Sequence, residues 1–315
     1  RQQDAIMAGR PPAAVLALLL ALVPAAAFRA GPRPALSRRT SRDNHLARTG
    51  PVAAARPPNG VKDNSAIVPA WLPSFAVPAL GGAVFGFDIG AASAVVRILA
   101  DPAVAQASLG SPLSEIELGN VASLPLFGGM ISSAVIAAVG DRKLGRLAEL
   151  RLASVLYGAA TVTSVLAPSL GVLLAGRFVT GLGLGVALHA APLYIAECAP
   201  PELRGRLVAY KEAAIVTGIV LGYAAGAVTG DAGEWRQCLL PAAALESAML
   251  FLSLPLPESP RWLALRGREG DAADALEQLL RLEPKDAARQ AKELMPAQSA
   301  RARGEPEPEP ESPLA

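Results

Sequence analysis

Long stretches without charged residues dominate the middle of the chain. Five of them contain no Asp, Glu, Lys or Arg, and a sixth, residues 238–257, contains only Glu246. Each approaches the ~20 apolar residues that a helix needs to cross the hydrocarbon core of a bilayer. A soluble helix of this length would carry a polar face. The pattern therefore predicts an all-α membrane protein with six transmembrane helices, at approximately Trp71–Val96, Leu118–Val139, Ala148–Ala167, Gly171–Ala191, Val208–Val228 and Cys238–Leu256.

Basic residues gather in two of the loops between these segments. Arg142, Lys143 and Arg146 follow the second segment, and Arg204 and Arg206 follow the fourth. Because these loops lie on the same side of the membrane, both ends of the six-helix bundle are expected on that side as well. The many Ala, Gly and small hydroxyl residues of the segments favour close helix packing in lipid.

Composition agrees with a membrane protein and argues against several other classes. Apolar residues make up 52% of the 315 residues and charged residues 18%, against about 25% charged in soluble domains. Two cysteines and two histidines argue against a disulfide framework or a metal centre. The sequence shows no nucleophile–base pair and no carboxylate dyad, so we expect no enzyme activity, no cofactor, no metal and no nucleic-acid partner.

The two ends of the chain differ from its middle. A short apolar run, Val15–Val23, precedes three alanines and is followed by a basic, acid-poor stretch, the order of a secretory signal and then a transit peptide. This resembles the two-part presequence of proteins sent to complex plastids and suggests the plastid envelope; an ordinary signal or a cytosolic tail remains the alternative. We assign residues 1–66 to this presequence, 67–263 to the membrane bundle, 264–296 to amphipathic helices beside the basic loops, and 297–315 to a disordered Glu/Pro-rich tail.

Two opposite charges lie inside predicted membrane segments. Asp88 lies in the first segment and Arg177 in the fourth. If the first three and the last three segments are inverted repeats, these residues occupy equivalent helices, and we expect them to pair across the interior. Pairing keeps the carboxylate ionised, whereas separation favours protonation, which is the physics of a proton-coupled switch. A static ion pair near one membrane face is the alternative.

Four further ionisable residues have more than one interpretation. His189 either titrates or is a hydrogen-bonded packing residue. Lys211 and Glu212 either line a cavity or extend to the membrane interface. Glu246 is a single acid in the last segment, and the sequence identifies no partner for it.

Five motifs in order resemble the sugar-porter family of the major facilitator superfamily. They are the glycine-rich stretch 81–90, Arg177 with the glycines that follow it, the stretch PLYIAECAPPELRG at 192–205, the Glu-Trp-Arg at 234–236, and PESPRWL at 257–263. The residues around His189 and the Lys211–Glu212 pair are similar to the plastid D-xylose–proton symporter-like branch. The resemblance covers about residues 70–263.

The resemblance implies proton-linked monosaccharide transport by alternating access, with a monosaccharide, protons and the lipid bilayer as partners. It implies that Asp88 takes the proton with Arg177 as its partner, and that Phe85 and Glu212 bind the sugar. Many members have Gln where Glu212 stands. The oligomeric state is left open. A charge network on the basic side, which latches the outward-open state, is implied for Arg146, Glu197, Arg204, Glu258 and Arg261.

The sequence departs from the family pattern in two respects. The loop after the second segment usually reads Asp-x-x-Gly-Arg-Arg, but here Asp141 stands one residue early relative to Gly145 and Leu147 replaces the second Arg. The family has twelve spans in two halves, so we expect this chain to be an incomplete one without the second half. An uncoupled facilitator, a non-transporting half that acts as a membrane partner or regulator, and a homodimer of halves are the alternatives.

Overall fold

The computed structural model describes residues 71–229 and 234–295, without the side chains of residues 139–143. The presequence predicted for residues 1–66 and the tail predicted for 297–315 lie outside the described residues. The described chain consists of helices joined by short connections. They are α1 (Leu72–Leu99), α2 (Pro102–Leu109), α3 (Glu115–Lys143), α4 (Arg146–Val165), α5 (Leu170–Cys198), α6 (Arg204–Thr229), α7 (Leu240–Ser253), α8 (Pro260–Leu265), α9 (Glu269–Leu280) and α10 (Pro284–Leu294).

Four helices of the described chain are long and apolar enough to cross a membrane: α1, α3 as far as Ala138, α5 and α6. The third and sixth predicted membrane segments, which correspond to α4 and α7, are not among these four helices. The first turn of α4 carries the buried charged residues Arg146 and Glu149. Helix α7 has 14 residues and follows a short 3₁₀ helix, Trp235–Cys238. Pro241 lies in the first turn of α7, where a missing backbone N–H costs nothing.

Local signals in the sequence explain how the helices begin and why prolines do not end them. Ser114 and Glu117 have the spacing of a capping box at the start of α3, and the structure contains both of its hydrogen bonds: the Ser114 amide donates to Glu117 Oε2 (2.8 Å) and the Glu117 amide donates to Ser114 Oγ (3.4 Å). Pro78, Pro125 and Pro192 each lie inside a helix. Such prolines are tolerated within a membrane bundle, because neighbouring helices can satisfy the backbone groups that a proline leaves without a hydrogen bond.

Two seams of glycine hold the long helices together in pairs. Along the α1–α6 seam, a Cβ atom at Gly86 would lie 2.8 Å from the carbonyl carbon of Ile215, and one at Gly222 would lie 2.7 Å from the amide nitrogen of Ala91. Along the α3–α5 seam, a Cβ atom at Gly181 would lie 2.9 Å from the Cα of Gly128. Only glycine permits backbones to approach this closely, as in other membrane helix pairs.

Helices α4 and α7 are held at both ends by reciprocal arginine contacts. Arg236, just before α7, donates from Nε to the Val165 carbonyl (3.0 Å) and from Nη2 to the Ala167 carbonyl (2.7 Å), at the end of α4. Arg151, near the start of α4, donates from Nη2 to the carbonyls of Ser253 (2.8 Å) and Leu254 (3.2 Å), at the end of α7. Guanidinium groups thus satisfy terminal carbonyls that no helical amide reaches.

The last three helices form a small cluster of their own beyond the bundle. Leu263 and Ala264 of α8, Ala275 and Leu276 of α9 and Ala287 of α10 belong to one buried apolar cluster. The predicted amphipathic region therefore contains the two helices α9 and α10, whose apolar sides face α8. The Ser259 hydroxyl accepts from the Trp262 amide and caps the start of α8.

Candidate functional site

Arg177 binds both oxygens of Asp88 and joins three helices. Its Nη1 donates to Asp88 Oδ1, and its Nη2 donates to Oδ2 at 3.1 Å. The Nε atom donates to the Val121 carbonyl of α3 at 3.0 Å. The Arg177 side chain is 3% exposed and that of Asp88 17% exposed. The predicted pairing of the two charges is therefore present, and its bidentate geometry is the strong form of such a pair.

A cavity of about 10 Å³ lies beside this pair, close to the minimum volume that holds one water molecule. Its polar lining comes from Asp88 of α1, Tyr157, Thr161 and Ser164 of α4, Arg177 and Thr180 of α5, and Glu246 of α7. The cavity is too small for a sugar. What the described residues form is a buried polar centre where four helices meet.

Glu246 is the second carboxylate of this centre. It is 4% exposed, and its Oε1 accepts a hydrogen bond from Thr161 Oγ1 at 2.7 Å. Its Oε2 and the Tyr157 hydroxyl form no hydrogen bond to any described residue. A buried polar atom without a partner is costly and needs an explanation, and here both atoms belong to residues that line the same cavity as Asp88.

The two residues expected to bind sugar lie outside this cavity. Phe85 is half-buried on α1, whereas Phe87, which the sequence analysis did not single out, is 2% exposed and lines the cavity. Glu212 is exposed, and its Oε1 lies 2.6 Å from Nζ of the buried Lys211.

His189 pairs with a buried carboxylate. Its Nδ1 lies 3.0 Å from Glu149 Oε2. The carboxylate is fully buried, and the histidine is partly exposed. Of the two interpretations of His189, the hydrogen-bonded one agrees with this contact, but the sequence did not identify Glu149 as its partner.

The residues of the expected charge network lie at one end of the bundle, where α4 begins and α5 and α7 end. Glu197 accepts a hydrogen bond from the Ser259 hydroxyl and lies 3.6 Å from Arg146 Nε. Arg204 Nε donates to the Ala199 carbonyl at 3.1 Å. Arg261 is exposed and has no hydrogen bond or ion pair with a side chain in the described chain.

Glu258 has a different contact from the ion pair that the motif suggested. Its Oε1 accepts from the Leu147 amide at 2.8 Å, and its Oε2 accepts from the Ala148 amide at 3.2 Å. The carboxylate therefore caps the first turn of α4, where the helix dipole favours negative charge. Gly145 leaves room for this contact, because a Cβ atom there would overlap the Glu258 carboxylate.

Sequence reasoning missed Thr161, the hydrogen-bond partner of the second carboxylate, and Tyr157, which lines the same cavity. Thr161 and Tyr157 lie in a segment without charges, 85 and 89 residues before Glu246 in the chain. Nothing in their own spacing distinguishes them from other small or aromatic membrane residues. The position of Glu246 inside an apolar segment was the one available signal.

Comparison with known proteins agrees with this architecture. Residues 75–306 match the family described as "Sugar (and other) transporter". Two relatives from Arabidopsis thaliana, D-xylose-proton symporter-like 2 and D-xylose-proton symporter-like 3, chloroplastic, are each 40% identical over 227 and 232 residues, or 70% and 71% of this chain. The galactose-proton symporter of Escherichia coli is 32% identical over 206 residues, 63% of this chain. The chain spans 44%, 40% and 41% of the length of these three relatives.

Solved structures show the same fold. The proton:xylose symporter XylE of the major facilitator superfamily, bound to 6-bromo-6-deoxy-D-glucose, has a TM-score of 0.63 and 28% sequence identity, over 74% of this chain and 54% of that chain. A partially occluded inward-open conformation of XylE from E. coli has a TM-score of 0.61 and 26% identity, over 74% and 59% of the two chains. An all-helical major facilitator fold and a match over more than half of its residues show that the chain is a membrane protein of the sugar transporter family, a family of transporters rather than of enzymes.

Proposed function

We propose that this chain forms the N-terminal, six-helix half of a proton-coupled monosaccharide symporter that works by alternating access. Since the chain spans less than half the length of its curated relatives, the transport activity belongs to the complete protein. The observation that carries the proposal is the bidentate Asp88–Arg177 pair, buried where α1, α3 and α5 meet.

A proton on Asp88 would change the contacts of two other helices. Protonation removes the negative charge that Arg177 neutralises, and the guanidinium is then left with neutral acceptors, the Val121 carbonyl and the carbonyl oxygen of the protonated acid. An unpaired buried cation is strongly unfavourable, so the loss of this pair favours a rearrangement of α1 relative to α5. Glu246 supplies a second carboxylate in the same cavity and is the second proton site that we propose.

The packing of the helices supports two inverted repeats of three. The first helix of one repeat packs on the second helix of the other in both glycine seams, α1 on α6 and α5 on α3. In this arrangement α4 and α7 are the third helices of the repeats and complete the six spans. The charged first turn of α4 lies at the end of the bundle beside Glu258, so it need not enter the hydrocarbon.

Within this mechanism, Phe85 and Glu212 contact the sugar on the wall that this half contributes. Arg146, Glu197, Arg204, Glu258 and Arg261 belong to the gating region at the opposite end of the helices from Trp235 and Arg236. Their geometry supports a network in which carboxylates bind hydroxyl and amide donors as well as arginine.

Uptake by the complete protein in proteoliposomes tests the coupling. With D-xylose or D-galactose outside, an inward proton gradient should accelerate uptake by the wild type, and Asp88→Asn should abolish that acceleration. Asp274→Asn is the matched control, because Asp274 is exposed on α9 and should leave the acceleration unchanged. Uptake that is insensitive to the gradient in the wild type and to Asp88→Asn would identify an uncoupled facilitator instead.

We also propose the plastid envelope as the location. One relative at 40% identity is named chloroplastic, and residues 1–66 have the composition of a signal followed by a transit peptide. A fluorescent protein attached to the C-terminal end of residues 1–66 should enter the plastid. The fluorescent protein without this segment should not. Secretion of the first fusion would contradict the assignment.

A further inference from the structure

A buried lysine and an exposed glutamate form an ion pair between neighbouring residues of α6. Lys211 lies about two turns inside the helix, and its side chain is 4% exposed. Glu212 is 60% exposed, and its Oε1 lies 2.6 Å from Lys211 Nζ. The pair does not extend to a helix end, as a snorkelling lysine would.

The surroundings of Lys211 leave its ammonium dependent on Glu212. The stem of the lysine packs against α1 at Gly82, where a Cβ atom would lie 3.1 Å from the Lys211 carbonyl oxygen and 3.7 Å from its Cγ. Within the described chain, Glu212 is the one ion-pair partner of Lys211. A buried cation that loses its counter-charge is strongly destabilising.

Glu212 lies at the start of an exposed strip of α6. Val216 and Val220, one and two turns further along the same strip, are also exposed. With Oε1 held by Lys211, Oε2 forms no hydrogen bond with another described residue. An ionised carboxylate accepts hydrogen bonds and donates none, whereas the amide of a glutamine does both.

We propose that Lys211 is a positioning residue that orients the carboxylate of Glu212, so that this subsite accepts hydrogen bonds from sugar hydroxyl groups and donates none. The inference rests on the proposed function, because it assumes that Glu212 contacts the sugar. The subsite then selects neutral polyols that present a hydroxyl donor at this contact. A sugar that presents only an acceptor there is rejected, since charge-assisted bonds are the strong ones and none can form.

A double-mutant cycle measures the interaction between Lys211 and Glu212 separately from the effect of each substitution alone. The variants Glu212→Gln, Lys211→Met and Lys211→Met/Glu212→Gln are made in the complete protein, and their thermal unfolding in detergent is compared. We expect Glu212→Gln to be the least stable, because it leaves a buried ammonium without a counter-charge, and the double variant to recover most of the loss. Additive effects of the two single changes would overturn the coupling.

The sugar contact is tested with deoxyfluoro-D-glucoses, in which one hydroxyl at a time becomes a fluorine that cannot donate. In the wild type, one position should lower competition against D-xylose uptake at least tenfold, and Lys211→Met, in which the carboxylate of Glu212 is no longer held, should reduce that penalty to threefold or less. A purely structural role of Lys211 would change stability and leave this profile as it is. Identical profiles in the wild type and in Lys211→Met overturn the proposal.

The two experiments fail in different ways. A wild type that takes up neither D-xylose nor D-galactose overturns the proposed function, and the sugar contact with it. Uptake with an unchanged fluorine profile leaves the transporter in place and overturns only the role of Lys211. The unfolding cycle needs no sugar and judges the ion pair by itself.

Discussion

The glycine seam between α1 and α6 makes a sharp prediction about Gly86. In Gly86→Ala the new Cβ would overlap the Ile215 carbonyl oxygen and lie 2.8 Å from the Ile215 carbonyl carbon and 2.9 Å from the Ile219 amide nitrogen. Unstrained carbon contacts are about 3.5–4.0 Å, so relief of the last two contacts alone requires the two backbones to separate locally by about 0.6–1.2 Å, and the overlap with the oxygen requires a larger separation. The atoms in the way belong to the backbone and cannot rotate aside.

The expected loss of stability is obtained by comparison with a glycine whose added Cβ would contact no other atom. Overpacking of this kind costs about 1–3 kcal/mol. Gly158→Ala on α4 is the matched control, because no atom lies within 4 Å of its added Cβ and alanine stabilises a helix interior by about 0.5–1 kcal/mol over glycine. The gain in helix propensity is common to both variants. The difference between their free energies of unfolding therefore measures the cost of overpacking in the seam, about 1–3 kcal/mol.

A thiol-reactive dye gives the assay, since Cys198 and Cys238 are both buried and react when the protein unfolds. At about 2–4 °C per kcal/mol for a unit of this size, Gly86→Ala should unfold about 2–12 °C below Gly158→Ala in the same detergent. If Gly86→Ala proves as stable as Gly158→Ala or more so, the two backbones do not meet at this point, and the seam described above is wrong.

Three other changes test separate contacts of the described chain. Thr161→Val removes the hydroxyl that binds the buried cavity carboxylate and should destabilise by about 1–3 kcal/mol in thermal unfolding; Thr163→Val, whose hydroxyl binds a carbonyl of its own helix, should cost less, and equal losses would contradict the argument. Glu258→Ala removes the cap of α4, so amide exchange at the first turn of that helix should accelerate about 5–30-fold; unchanged exchange there would exclude the capping role. Arg236→Lys replaces a planar fork by a point charge and should lower the unfolding temperature, whereas the exposed Arg97→Lys should not; the reverse order would refute the clamp.

The parts of the site that could be predicted are those marked by a local pattern along the sequence. A charge inside an apolar segment is conspicuous, and Asp88 and Arg177 carried that signal together with a reason to pair. The capping box of Ser114 and Glu117 is a local pattern four residues long, and it appears in the structure with both hydrogen bonds.

The remaining contacts depend on distances between segments, which the sequence does not contain. Glu258 was expected in an ion-pair network, but its carboxylate binds amides 110 and 111 residues away, because any helix N-terminus can replace an arginine as its partner. The sixth predicted segment, Cys238–Leu256, is longer than α7 at both ends, because Cys238 closes a 3₁₀ turn and the helix ends at Ser253, two residues before Pro255.

The reciprocal arginines have a mechanical consequence for the bundle. Since Arg236 grips the end of α4 while Arg151 grips the end of α7, an axial slip of one helix along the other by a single turn, about 5.4 Å, would rupture bonds at both extremities at once. The two helices are therefore expected to move together as one rigid unit. In the proposed transport cycle, movement within this half is therefore expected in the helices beside them, among them α1, which carries the acidic residue of the buried pair.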